Sequence, residues 1–328
     1  MAKDKSLSAS NRKSFADTAR LDSQLRRLRS QAMRLTRLTT AMSPGLTAIA
    51  AAPTVAVYDC KSGQTLPGSP ISNPAKAQDG TAKQVFNETT SVATFYSKVF
   101  GRNSIDGSGM TLLSSIHYGV SYNNAFWNGA QMTYGDGDGE IFIDFSKGND
   151  VIGHELTHGV TQHSLQLDYV DEAGGLNESL SDCFGSMFRQ WEAKQDVNQA
   201  DWLIGSDIIG PTGVDRGYTC LRDMANPDAQ HCLAPQPTQY SQFEPGMDPH
   251  SSSGIPNLAF YTICKAVGGN SWDKVGQIWY NVLTGSGAKP QMTMKEFADR
   301  TRAAAGQLYP GDTALGGNVD AGWKHVGL

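Results

Sequence analysis

The sequence predicts an α+β protein of two lobes, a β-rich lobe over residues 53–148 and a mainly α-helical lobe over 149–328, preceded by a separate basic segment, residues 1–52. Three observations carry this expectation. At 328 residues the chain exceeds what a single hydrophobic core usually organises. The first lobe reads in short runs between Gly- and Pro-bearing turns, whereas the second reads mainly at helical spacing. The charge is also divided: ten Lys or Arg against three Asp give the first 52 residues a formal +7, which leaves −12 on the remainder of a chain whose net charge is −5. With 18% charged residues and 35 glycines, the composition is that of an ordered, turn-rich protein. No apolar run reaches the roughly 18 residues that a membrane helix needs, and a membrane partner is not expected.

Within the basic segment Leu21, Leu25, Leu28, Leu35 and Leu38 recur at helical spacing among Arg20, Arg26, Arg27, Arg29, Arg34 and Arg37, which predicts a basic amphipathic helix. Such a helix could be a pro-segment lying against the acidic remainder, an organelle transit peptide, or a nucleic-acid or membrane contact. The stretch from Thr39 to Pro53, rich in Ala, Thr and Pro, reads as a cleavable linker. Val55-Ala-Val-Tyr-Asp59 opens the β-rich lobe, and residues 86–100 are expected to form one helix within it. Gly135-Asp-Gly-Asp138-Gly-Glu140 lacks the longer ligand series of an EF-hand, so its Asp-Gly pair predicts a hairpin turn. Helices are expected over 149–165 and at the segment beginning Gly174, with the last starting near Thr293, where Thr293-Met-Lys-Glu296 matches a capping box. Of five cysteines, Cys220 and Cys232 bracket a loop and could pair in an oxidising compartment, and Cys183 reads as a buried small hydrophobe. Cys60 and Cys264 carry no clear message, so the cysteines do not decide the compartment. No segment reads as a coiled coil, and a monomer is expected.

The chemistry is concentrated in Val151-Ile-Gly-His154-Glu155-Leu-Thr-His158. Two histidines four apart on a helix share a face one turn apart, so both imidazoles can reach one Zn²⁺, with Glu155 beside them to activate a zinc-bound water. Sixteen residues after His158 begins Gly174-Gly-Leu-Asn177-Glu178-Ser-Leu-Ser-Asp182. An open catalytic zinc commonly takes three protein ligands, and Glu178 fits as the third. Asp182 falls one turn further on the same face, where it can accept the second ring N–H of a ligating histidine.

These blocks resemble the thermolysin family of neutral metallopeptidases, and the likeness covers residues 55–328. It extends to Tyr122-Asn-Asn-Ala-Phe-Trp-Asn-Gly, Met132-Thr-Tyr-Gly-Asp-Gly-Asp-Gly139, Leu221-Arg222-Asp-Met and His250-Ser-Ser-Ser-Gly254. The resemblance implies a helix carrying His154 at the floor of a cleft, one catalytic zinc on His154, His158 and Glu178, and Glu155 as general base and acid. Asp182 is implied as the partner of a ligating histidine, with Tyr169 and His250 as donors to the oxyanion of a tetrahedral intermediate. Asn124, Arg222 and the amides of Ala125 and Trp127 are implied to hold an extended substrate beside an edge strand. Phe142, Phe145, Val151, Ile204, Ile208 and Leu221 are implied to line an apolar pocket, giving cleavage on the amino side of Leu, Phe, Ile or Val. Phe145 would make that pocket shallower.

Two departures from the family's pattern alter these expectations. The calcium pair of its best-known members would meet Arg189, Leu203 and Ser206 where three carboxylates are usual, with Asp150 and Asp201 remaining. A guanidinium between two aspartates can satisfy both, so weak calcium dependence is expected. Before His250, the stretch Gly246-Met-Asp248-Pro-His250 has lost the usual aspartate spacing, and Asp248 is the available partner. Smaller, protealysin-like members carry a short pro-segment without a secretory signal, which favours an intramolecular, inhibiting pro-segment for residues 1–52. Its substrates would be proteins or peptides, with no nucleic-acid partner. The N-terminus shows no signal pattern, so a cytoplasmic precursor or unconventional secretion is expected. A narrower zinc hydrolase, such as an exopeptidase, is the alternative. A scaffold without turnover is disfavoured by the intact His154, Glu155, His158, Glu178, Tyr169 and His250.

Overall fold

The structure, a computed structural model, describes residues 1–22, 53–285 and 287–328. Of the basic helix, residues 9–22 are described and helical (α1). Its expected continuation through Leu25, Leu28, Leu35 and Leu38, with Arg26, Arg27, Arg29, Arg34 and Arg37, and the linker up to residue 52, lie outside the described residues.

The first lobe is a five-stranded sheet with one long helix against it. Its strands are β1 (Val55–Asp59), β2 (Ser69–Pro70), β3 (Leu112–Ile116), β4 (Ala125–Trp127) and β5 (Met132–Tyr134), in the spatial order β2-β1-β3-β5-β4. β1 and β3 pair in parallel, which demands a crossover, and α2 (Gly80–Phe100) supplies it. This helix starts before the expected residue 86, because Asp79 accepts hydrogen bonds from the Thr81 and Ala82 amides and so caps it. Its apolar face, with Val85, Val92, Phe95 and Tyr96, is buried. Among the described residues β4 pairs only with β5 and therefore forms one edge of the sheet. The Asp-Gly segment turns as expected, with Asp138 Oδ1 accepting the amides of Glu140, Ile141 and Phe142. It makes no hairpin, because the returning chain bridges at Phe142 to Ile209 instead of running back along β5.

The second half is helical: α3 (Asn149–Gln162), α4 (Asp171–Ala193), α5 (Pro211–Asp215), α6 (Pro249–Ser252), α7 (Gly254–Val267), α8 (Lys274–Gly285), α9 (Met294–Leu308) and α10 (Thr313–His325). A short antiparallel pair, β6 (Leu203–Ile204) and β7 (Arg222–Asp223), interrupts it. α3 is buried almost from end to end, so its sequence shows little amphipathic contrast. It ends at Gln162, short of the expected residue 165. α3 and α4 cross at glycine: a Cβ on Gly185 would stand 2.6 Å from the Asp150 carbonyl and 3.1 Å from the His154 nitrogen. That close approach sets the distance between the two helices that carry the site. Thr293 caps α9 by accepting the Glu296 amide, but α9 is not the last helix. α10 follows, and its Trp323 stacks on Trp279 of α8 with ring centroids 5.9 Å apart. Among the described residues no helix is long and apolar enough to cross a membrane.

Candidate active site

α3 presents His154 and His158 on one face, and α4 brings Glu178 against them from its third turn. The first-turn acids of α4 are Asp171 and Glu172, so Glu178 is no ordinary helix-start acid. His154 Nε2 lies 3.3 Å from Glu178 Oε2, His158 Nε2 lies 3.4 Å from Glu178 Oε1, and the two Nε2 atoms are 3.1 Å apart. Ligands at about 2.0 Å from a tetrahedral ion stand about 3.3 Å from one another. The three groups therefore have the spacing of a metal-ligating set, and they could hold one ion.

The far side of each imidazole is fixed. His154 Nδ1 meets Asp182 Oδ1 at 2.8 Å, and His158 Nδ1 meets Asn177 Oδ1 at 2.8 Å and Ser181 Oγ at 3.0 Å. A proton on Nδ1 leaves each Nε2 lone pair for a metal. Asp182 is fully buried and accepts three further bonds, from Arg222 Nε at 2.8 Å, Arg222 Nη2 at 2.6 Å and Asn257 Nδ2 at 2.8 Å. Burial opposes its charge, but Arg222 and His154 hold its carboxyl below the usual range. Burial likewise works against a charged His154, yet the Asp182 and Glu178 carboxylates push its pKa up to about 10. Glu178 resists burial in the same way, and the His250 and His158 rings draw it well below an ordinary glutamate.

Glu155 sits beside His154, and its Oε2 accepts the backbone N–H of Trp127 at 2.9 Å. Trp127 closes edge strand β4, which begins at Ala125. Asn124 precedes that strand, half-buried, and its carbonyl accepts the Gly135 amide at 3.0 Å. On the opposite side the Tyr169 hydroxyl donates to Glu178 Oε1 and lies 3.4 Å from His250 Nε2. His250 opens α6 together with Asp248, whose Oδ1 meets both the His250 amide and Nδ1 at 2.9 Å. The altered spacing before His250 thus still delivers a carboxylate to the ring.

Phe142, Phe145, Val151, Ile204 and Ile208 are buried, and half-buried Leu221 packs onto the same cluster. The Phe142 and Phe145 rings lie 5.1 Å apart. Phe15 of α1 leans on Phe142 at 6.0 Å. α1 is anchored further by Ser14 Oγ donating to the Ser121 carbonyl at 2.6 Å and by the Asn123 amide donating to Thr18 Oγ1 at 3.1 Å. Ahead of it, Asp4 pairs with Arg216 at 2.8 Å.

Arg189 lies among three carboxylates: Nη1 is 2.5 Å from Asp207 and 3.8 Å from Asp150, and Nη2 is 3.5 Å from Asp201. The family resemblance pointed to Asp150 and Asp201 but not to Asp207. Asn177 and Ser181 were also missed, although both stand inside the Glu178 block at helical spacing from one another. Asn257 carried no local signal. Arg222, expected to hold substrate, directs Nε and Nη2 to Asp182. Trp127, expected to offer its amide to substrate, has Glu155 on that N–H.

Two family models match the chain: the thermolysin metallopeptidase catalytic domain over residues 35–162 and the thermolysin metallopeptidase alpha-helical domain over residues 165–328. The chain is 37% identical over 283 residues to an extracellular metalloprotease of Pectobacterium carotovorum subsp. carotovorum, a match covering 83% of this chain and 80% of that one. It is 36% identical over 282 residues to protease PrtS of Photorhabdus sp. (strain Az29), covering 83% and 76%. The solved precursor of protealysin, a metalloproteinase from Serratia proteamaculans, superimposes with a TM-score of 0.79 at 36% identity, covering 87% of this chain and 90% of that one.

Proposed function

The chain belongs to the thermolysin family of metallopeptidases and is a metalloprotease, and from that premise we propose that it is a zinc endopeptidase cleaving on the amino side of large apolar residues, made as a precursor held inactive by its N-terminal segment. The family is zinc-dependent. The observation that carries the proposal is the convergence of His154, His158 and Glu178, with Glu155 bonded to the edge strand beside them.

Zinc on His154, His158 and Glu178 would supply Lewis acidity toward the scissile carbonyl and lower the pKa of water. Glu155 takes the proton of the attacking water and returns it to the leaving amine, a base that becomes an acid within one turnover. The Trp127 amide fixes one oxygen of that base, and an extended peptide adding to β4 would lie beside it. Tyr169 and His250, flanking Glu178, donate to the developing oxyanion, and Asp248 fixes the orientation of the His250 ring. Asp182 holds His154, and Arg222 holds Asp182; Arg222 would also meet a substrate carbonyl. Phe142, Phe145, Val151, Ile204, Ile208 and Leu221 receive the apolar side chain that follows the scissile bond.

The contact of Phe15 with Phe142 supports an N-terminal segment that covers the apolar pocket, and the opposed charges of segment and remainder favour its docking. Maturation would then cut between residues 39 and 53. Arg189 among Asp150, Asp201 and Asp207 takes the place of a calcium pair. The test is hydrolysis of a doubly capped peptide with Gly before Leu. Activity should rise when the first fifty or so residues are removed, and vanish with a zinc chelator or in Glu155→Gln. Trimmed, zinc-loaded protein that cleaves only uncapped peptides would overturn the endopeptidase reading in favour of an exopeptidase.

A further inference from the structure

A second group of metal-ligand side chains lies beyond the active-site cluster, in the segments on either side of β7. Cys220 and Cys232 are buried, at 0% and 1% exposed, and their sulfurs are 3.8 Å apart. Both thiols are free. Two thiolates on one tetrahedral ion with bonds of about 2.3 Å stand about 3.8 Å apart. His231 completes a trio with them, one ligand atom from each residue lying within 4.8 Å of the others. Its Nε2 faces Asp223 Oδ2 at 3.1 Å, a carboxylate–histidine contact of the kind that accompanies ligating imidazoles.

The backbone holds these side chains together without a metal. Cys220 and Cys232 form a parallel bridge, with the Leu233 amide donating to the Cys220 carbonyl at 3.0 Å and the Thr219 amide to the His231 carbonyl at 3.0 Å. Asp223 Oδ1 accepts the Ala225 and Asn226 amides at 2.8 and 3.1 Å, which turns the chain back toward His231. Soft sulfur with imidazole selects a zinc-like ion over calcium or magnesium.

We propose that Cys220, His231 and Cys232, with Asp223 beside them, form a second metal site that binds Zn²⁺ or a similar soft divalent ion. Binding releases two thiol protons and leaves His231 neutral, joining a buried thiolate pair to one cation. Arg222 lies between two residues of the site in sequence, and its guanidinium holds Asp182, the partner of His154. An ion at this position therefore fixes the loop that supports the catalytic cluster.

The experiment titrates the reduced, metal-stripped full chain with Co²⁺ and follows thiolate-to-cobalt charge transfer in the near ultraviolet. The expected result is two equivalents per chain, of which one carries the sulfur band. In His158→Ala the sulfur band should persist with one equivalent. In Cys220→Ser and Cys232→Ser, each checked for folding by circular dichroism, it should vanish while the other equivalent remains. A wild-type chain that binds one equivalent without a sulfur band overturns the proposal, whether its thiols stay free or are found joined in a disulfide on peptide mapping.

Discussion

Asp182→Asn isolates the buried support of the catalytic cluster. Asp182 is fully buried, and its two oxygens accept from His154, twice from Arg222, and from Asn257 at 2.6–2.8 Å. Asparagine keeps the volume, so no cavity term arises. It replaces one acceptor oxygen by an NH₂ group, which sets donor against donor on whichever side it turns. Arg222, only 8% exposed, is left without its counter-ion. Breaking such a buried pair from one side costs about 3–5 kcal/mol, which corresponds to a fall in Tm of roughly 5–10 °C for a protein of this size. Loss of the carboxylate behind a ligating histidine should also weaken zinc binding about 10–100-fold. Both are measured in a Glu155→Gln background that prevents autolysis, the first by calorimetry of the metal-free chain and the second by chelator competition. The folded carboxyl titrates below its unfolded range, so its own contribution is present above about pH 4 and is lost as the pH falls below that, whereas the share carried by a protonated His154 is lost as the pH rises through about 10. An unchanged Tm together with zinc affinity within twofold of wild type would refute the idea that Asp182 anchors the cluster.

Tyr169→Phe should lower kcat on a capped peptide about 10²–10³-fold with little change in KM, because the hydroxyl is needed where charge develops; steady-state kinetics decides, and a drop confined to KM would remove Tyr169 from that role. Arg189→Gln leaves Asp150 buried without its nearest cation, so Tm should fall by several degrees and added Ca²⁺ should restore part of it, while wild type stays insensitive to Ca²⁺ in thermal scans. His117 lies between Asp136 at 2.7 Å and Asp79 at 2.9 Å; the Asp136 hydrogen bond leads in raising its pKa to about 9, with Asp79 adding to it against burial. That contribution is present in full below the unfolded value near 6.5 and is lost as pH rises through about 9. His117→Asn, which tolerates the left-handed backbone at this position, should cost about 1 kcal/mol at pH 6 after allowance for solvent screening, and urea titrations at pH 6 and pH 10 should show the difference closing.

Local spacing made much of the candidate site legible. His154, Glu155 and His158 follow from a helical period alone, and Glu178 and Asp182 from a second block whose own period puts them one turn apart. The β-rich start at Val55 was readable in the same way, whereas the edge position of the Ala125–Trp127 strand was implied by the family resemblance alone. The expected hairpin at Asp136–Gly139 failed because a turn signal says that the chain reverses but not what it reverses onto; Phe142 found Ile209 rather than a neighbour in sequence. The start of α2 was misjudged because its first turn depends on the Asp79 cap and carries little apolar pattern.

Amino-acid order alone was enough to specify which groups could ligate and which could move a proton, because helix geometry turns spacing into direction within one element. It could not specify that Asn257 of α7 completes Asp182, that Asp207 joins Arg189, that Phe15 rests on Phe142, or that Cys220, His231 and Cys232 converge. Those contacts join elements far apart in sequence or close an irregular loop. They exist because α3 and α4 meet at Gly153 and Gly185, and because the segments around them settle wherever buried polar groups find partners. Periodicity carries no information about such meetings; packing and hydrogen-bond satisfaction in three dimensions select them.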